Sequence, residues 1–336
     1  MNELILPIYK PFFLGYQHHA NCFSMLDLDN DPLYRKWFMN HFIQLMCSKE
    51  FVKNRNNLLD FYREDFYEAY SEIMVVQNVH QNIIKNYSKG IMGFIFDCID
   101  DEHYMELIVN EFYIPGTKAY QKFDHDHGVF IYGYNKAEQI VYARYFKNEL
   151  FSDTTLTFEE IENAFGNVVM TYHWCAHSKL FKKTKSVEMN VDVPRIMHSI
   201  EDLMKSRVRY RSNEYRVYGL QVYQCIKEHA LLLDENMAFD IRPLHIVCEH
   251  KIGMVKRFEI AEQLGLGWDT SFILPKIKDL AERFNMLRYK FLKCILQQNK
   301  GSIPMLLSQL DQLEQEEYNL YEQILQDNFL EAATRT

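Results

Sequence analysis

The sequence is poor in the residues that mark special architectures. Twelve glycines and eight prolines among 336 residues exclude a collagen-like or low-complexity chain. The seven cysteines are odd in number and scattered, with no Cys-x-x-Cys pair. Neither a disulfide scaffold nor a four-cysteine zinc site is expected, and a reducing cytoplasm is the expected setting. No run of about 18 apolar residues exists to cross a membrane. The start, Met1-Asn-Glu-Leu-Ile-Leu-Pro, lacks the basic stretch and long apolar core of a signal peptide. Cations are also in short supply: 37 Lys+Arg stand against 46 Asp+Glu, a net charge of −9. Nucleic-acid backbone binding needs clustered cations and is not expected. Neither G-x-x-x-x-G-K-[ST] nor G-x-G-x-x-G occurs. ATP and dinucleotides therefore have no sequence handle, and no cofactor is expected.

Apolar residues are plentiful, at 48% with 15% aromatic, enough for a sizeable core and too many for a disordered chain. At roughly 100–200 residues per domain the length suggests two domains. An acidic surface attracts cationic partners, amines included.

Periodicity divides the chain in two. The N-terminal part mixes elements. Residues 33–52 carry apolar positions at helical spacing, and short β-rich runs follow at Ile73-Met-Val-Val and Ile91-Met-Gly-Phe-Ile-Phe. Val129–Tyr134 and Gln139–Phe146 flank polar Asn135-Lys-Ala-Glu and predict a hairpin. Thr157 with Glu160 three residues later is a capping-box start for a helix reaching Phe165. From about residue 195 the pattern is helical, with spans over 244–265 and 275–298 and a last amphipathic helix after Gly301. The expected fold class is α+β, with a catalytic domain over 1–180 and an all-helical domain over 195–336. The helical faces are available to pack on the catalytic half or to form a homodimer seam.

The sharpest chemical candidate is Cys22 with His127. A thiolate nucleophile is favoured at a helix N-terminus, where unpaired amides lower the thiol pKa, and a helix is expected to begin near Cys22. An imidazole at a strand end, as His127 is expected to be, takes and returns the proton. Other constellations read more plainly. Asp124-His-Asp-His127 could alternate metal ligands, but one catalytic histidine in a solvated loop is the simpler reading. Asp27-x-Asp-x-Asp31 has Pro32 and Phe38 where a calcium loop needs Gly and Glu. His173-Trp-Cys-Ala-His177 lacks the zincin glutamate, so no metal is expected. His18, His19, His245 and His250 read as packed or surface histidines. The Lys182-Lys-Thr-Lys185 run reads as a solvated face, or as a contact for an acidic carrier protein.

Gly15-Tyr-Gln-His-His-Ala-Asn-Cys22-Phe-Ser-Met-Leu resembles the nucleophile segment of papain-like cysteine acyltransferases of natural-product gene clusters, the butirosin-type group. His127-Gly-Val-Phe-Ile-Tyr-Gly-Tyr-Asn resembles the group's histidine strand. Leu156–Phe165, Tyr215–Tyr223 and Asp240–Lys251 resemble later parts of it. A resemblance to the amide-forming enzyme type of closthioamide assembly, which joins carrier-bound acyl chains to a diamine, is the related alternative. The resemblance implies a papain-like N-terminal half in a cytoplasmic biosynthetic enzyme. Cys22 would take an acyl group from a thioester on the phosphopantetheine of an acyl or peptidyl carrier protein and pass it to a small amine, forming an amide, with His127 as base. Gln17, five residues before Cys22, would be the oxyanion donor, with Asn21 as a weaker alternative. Arg144 stands where an imidazole-orienting Asp is expected. An arginine cannot accept from an imidazole N–H, so either a Cys–His dyad operates or Asn148 or Asp153 substitutes. Two rival readings share these residues: a cysteine peptidase or thioesterase, and a catalytically silent papain-like binding protein.

Overall fold

The computed structural model describes residues 2–49, 59–62, 67–170, 172–185, 187–208, 213–231 and 240–334. In chain order its first elements are β1 (Glu3–Ile5), α1 (Gln17–Ser24), α2 (Pro32–Asn40), β2 (Leu45–Ser48), β3 (Asp60–Phe61), β4 (Met74–His80), α3 (Gln81–Lys85), α4 (Gly90–Asp100) and β5 (Tyr104–Asn110). Then come β6 (Asp126–Asn135), β7 (Ile140–Lys147), β8 (Leu150–Thr157), α5 (Phe158–Gly166) and β9 (His177–Lys183). The chain continues with α6 (Val193–Met204), β10 (Arg216–Tyr218), α7 (Val222–Leu231), α8 (Arg242–Gln263), α9 (Thr270–Leu296) and α10 (Ile303–Thr334). The protein is thus mixed α+β. It divides into two compact units, one of residues 1–31 and 70–187, the other of residues 32–69 and 188–336.

The first unit is built on a seven-stranded antiparallel sheet in the order β4-β9-β5-β6-β7-β8. Strand β5 pairs with the first half of β6, from Asp126 to Ile131, and β1 continues that side from Gly133 to Asn135. Every residue of β5 is buried, the pattern of a strand covered on both faces. Helix α5 packs on β5 and β8, and α4 on β5 and β6. The capping box at Thr157 and Glu160 forms as its spacing indicates.

Several local expectations give way to tertiary context. Ile91–Phe96 lies in α4, not a strand. A six-residue apolar run fits either state; here Met92, Ile95, Cys98 and Ile99 are buried at helical spacing. The helix expected over 33–52 stops at Asn40. Phe42 follows with φ +59°, a left-handed conformation that a helix interior cannot hold. Leu45–Ser48 then turns to strand, and residues 50–52 lie outside the described residues. Strand β8 has no clear signal in its polar, Thr-rich sequence, yet it completes the sheet beside β7.

The second unit differs from the expected all-helical domain in two ways. It contains a three-stranded antiparallel sheet, β10-β2-β3, and it takes in segment 32–69, expected in the first domain. Arg257 on α8 explains part of that grouping. Its guanidinium is fully buried and donates to the carbonyls of Met39 (3.1 Å), Phe38 (3.2 Å) and His41, at and just beyond the C-terminal end of α2, where helix carbonyls need partners from outside the helix.

Within the same unit Lys251 on α8 and Glu317 on α10 form an ion pair at 1% and 0% exposure. Tyr223 donates to the same carboxylate at 2.5 Å, and Lys251 Nζ lies 2.9 Å from His250 Nδ1. Burial pushes the Lys251 ammonium pKa down, with Glu317 opposing. Removing one partner strands a buried charge, whereas replacing both does not. Lys251→Met alone is therefore expected to lower unfolding free energy by about 3–5 kcal/mol in urea titrations, and Lys251→Met with Glu317→Met to recover most of it. A double variant as unstable as the single would refute this account.

Candidate active site

Helix α1 meets the sheet at Gly128. Gln17, its first residue, donates from Nε2 to the Gly128 carbonyl at 2.6 Å. A Cβ on Gly128 would fall 2.8 Å from Glu106 Cγ and 3.2 Å from Gln17 Nε2, so only glycine permits this approach. On the same face Glu106 accepts from Asn21 Nδ2 at 2.6 Å and pairs with Lys179 Nζ at 2.5 Å. Gln17 Oε1 and Asn21 Oδ1 are buried without a hydrogen-bond partner.

Cys22 belongs to this face, but not in the expected manner. Helix α1 begins at Gln17, five residues earlier, so Cys22 lies in the last turn of the helix and no helix N-terminus serves its sulfur. The thiol is fully buried. Burial and then the Glu106 carboxylate push its pKa well above the ordinary thiol value, with Lys179 partly offsetting. That is the reverse of an activated nucleophile.

His127 follows the opposite face. Adjacent strand residues project to opposite sides. Gly128 opens toward α1, so His127 points away from it. Its Nδ1 lies 3.3 Å from Glu111 Oε1, with side chains 31% and 11% exposed. Its ring stacks on His125 at 5.7 Å and meets the edge of Trp174 at 6.4 Å. Cys22 and His127, expected as one catalytic pair, are therefore divided by the sheet.

Glu111 is the residue that sequence reasoning missed. Strand register sets Val109 opposite His127, and Glu111, two residues on, shares that face. Asn110 fixes the turn. Its side chain accepts from Phe112 N at 3.0 Å and His125 N at 3.2 Å, and donates to Asp124 at 2.7 Å. The residues expected to orient the imidazole are engaged elsewhere. Asp153 pairs with Arg144, which stands opposite Phe130, not His127. Asn148 sits in the β7–β8 turn at φ +51°, its N–H donating to Gly116 O at 2.8 Å.

Three other histidines singled out by the sequence, His19, His245 and His250, are packed. His19 is buried and shares 2.8 Å with Tyr70 Oη. His250 is buried against Ile43 O at 2.7 Å, and His245 meets Arg288 at 2.6 Å, with its pKa pushed down to about 4 chiefly by burial. Lys182 and Lys185 pair with Asp101 (2.9 Å) and Glu102 (2.7 Å).

No protein-family profile matches the sequence, and no curated protein matches it either.

A raised folded-state pKa keeps the Cys22 thiol protonated at neutral pH. Its contribution to stability is present below the ordinary thiol pKa and is lost as pH climbs above it. Iodoacetamide at pH 7.5 is expected to leave Cys22 unmodified in the native protein and to alkylate it fully in guanidinium. Rapid native alkylation, read by peptide mass spectrometry, would contradict this environment.

Proposed function

We propose that this protein is an acyltransferase in which His127, held by Glu111, is the general base, and in which the acyl group passes directly from a carrier-bound thioester to an amine. The observation that carries this reading is the accessible imidazole–carboxylate pair at the start of β6. With Nδ1 against Glu111, Nε2 lies across the ring and is left to face a reactant. The resemblance of the Gly15–Leu26 and His127–Asn135 segments to papain-like acyltransferases supports the substrate class, a phosphopantetheine thioester and a small amine.

In this mechanism the amine nitrogen attacks the thioester carbonyl carbon while His127 Nε2 takes its proton. Glu111 offsets the charge of the imidazolium. The tetrahedral intermediate expels the carrier thiolate, the C–S bond breaks, and the imidazolium proton passes to the sulfur. A thioester lies well above an amide in free energy, so no ATP is required. Cys22 carries no acyl group in this scheme, because its thiol is buried, protonated and on the other side of the sheet. Water in place of the amine would make the same site a thioesterase.

A second reading is a binding protein without catalysis. It draws on the buried Cys22 and on a cavity of about 580 Å³ within the second unit, walled by residues around Phe42 and by the first turns of α6.

With an acylated carrier protein and a panel of amines, the intact protein is expected to release amide and free carrier thiol. Cys22→Ala should retain most of the turnover, and His127→Ala should lose about 10²–10⁴-fold. An acyl adduct on Cys22, or turnover unaffected by His127→Ala, would overturn the mechanism. No turnover with any amine or water would favour the binding role.

A further inference from the structure

The segment after α5 is tied to the sheet by Asp126. This carboxylate, 3% exposed, accepts from the backbone N–H groups of Val169 (3.1 Å) and Met170 (2.7 Å). Beyond that anchor Tyr172 and Trp174 are left 57% and 47% exposed, their rings parallel within 6° at 6.2 Å between centroids. Trp174 in turn stands edge-on to the His127 ring. Two large, parallel π faces thus lie exposed beside the His127–Glu111 pair.

The charges around them select among ligands. Glu111 lies 3.3 Å from His127, and the buried Asp126 carboxylate anchors the segment that leads to the two rings. The whole chain carries −9. Anions are disfavoured here, whereas aromatic faces attract cations, tryptophan most strongly. We propose that Trp174 and Tyr172 form a binding site for an organic cation of the ammonium or guanidinium class, held over the rings and toward the Glu111 carboxylate.

This inference does not depend on acyl transfer. If that reading is correct, the bound cation is the charged part of the acceptor. A probe that does not react keeps the two claims separable: failure of binding leaves the transfer mechanism standing, and failure of transfer leaves the site standing.

Choline, titrated at constant ionic strength, is the probe. Trp37 and Trp268 are 0% and 8% exposed, so a change in tryptophan emission reports Trp174. The expected result is a saturable emission change with choline and none with its uncharged isostere, 3,3-dimethylbutan-1-ol. Tyr172→Leu and Glu111→Gln, both keeping the reporter, should each raise the midpoint about two- to five-fold. Equal responses to choline and the isostere, no saturable response, or midpoints unmoved in both variants would overturn the proposal.

Discussion

The alternation of a pleated strand governs the chemistry available to this molecule. Along β6 one residue is a glycine whose missing side chain admits α1 and its Gln17 amide. Its predecessor is a histidine that must then face the other way. From that single step follow two separate polar clusters. One holds Asn21, Glu106, Lys179 and a buried thiol; the other pairs His127 with Glu111 at the sheet end. Exposure separates the two: the thiol is sealed, with its pKa raised chiefly by burial, whereas the imidazole keeps about a third of its surface.

Much of the architecture was legible because it rests on local signals. The Thr157 capping box, the β6–β7 hairpin and the long C-terminal helices each carry their instructions within about ten residues. What could not be read depends on distant partners. Gly90–Asp100 is apolar enough for strand or helix, and only its neighbours decide. Segment 32–69 joins the second unit through bonds from residues more than 150 positions away. The candidate site shows the same limit. His127 stood out as a candidate from its place before an apolar strand. Glu111 was invisible because the register between β5 and β6, separated by an irregular stretch of chain, is what brings it alongside. The expected helix start at Cys22 was misplaced for a smaller reason: α1 begins five residues sooner than its apolar pattern implies.

The two units handle buried charge differently. In the first, Glu106 keeps Lys179 partly wetted, and Arg144 meets an exposed Asp153 carboxylate. In the second, Lys251, Glu317 and Arg257 lie in the dry interior, satisfied by one another, by Tyr223 or by helix-end carbonyls. Such pairs cost desolvation and return specificity only when every polar atom is matched. The second unit therefore has a core that tolerates little rearrangement.

That arrangement sets an order of events during synthesis. The carbonyls at the end of α2 are made early, but Arg257, which must satisfy them, lies 216 residues beyond His41. Residues 1–31 have by then emerged, and between His41 and Arg257 the ribosome delivers the rest of the first unit, from residue 70 to residue 187. The sheet can close while α2 still waits for its guanidinium. The first stretch of the second unit is thus a nascent segment held open across the folding of its neighbour, and vectorial translation makes the helical unit the last to become stable.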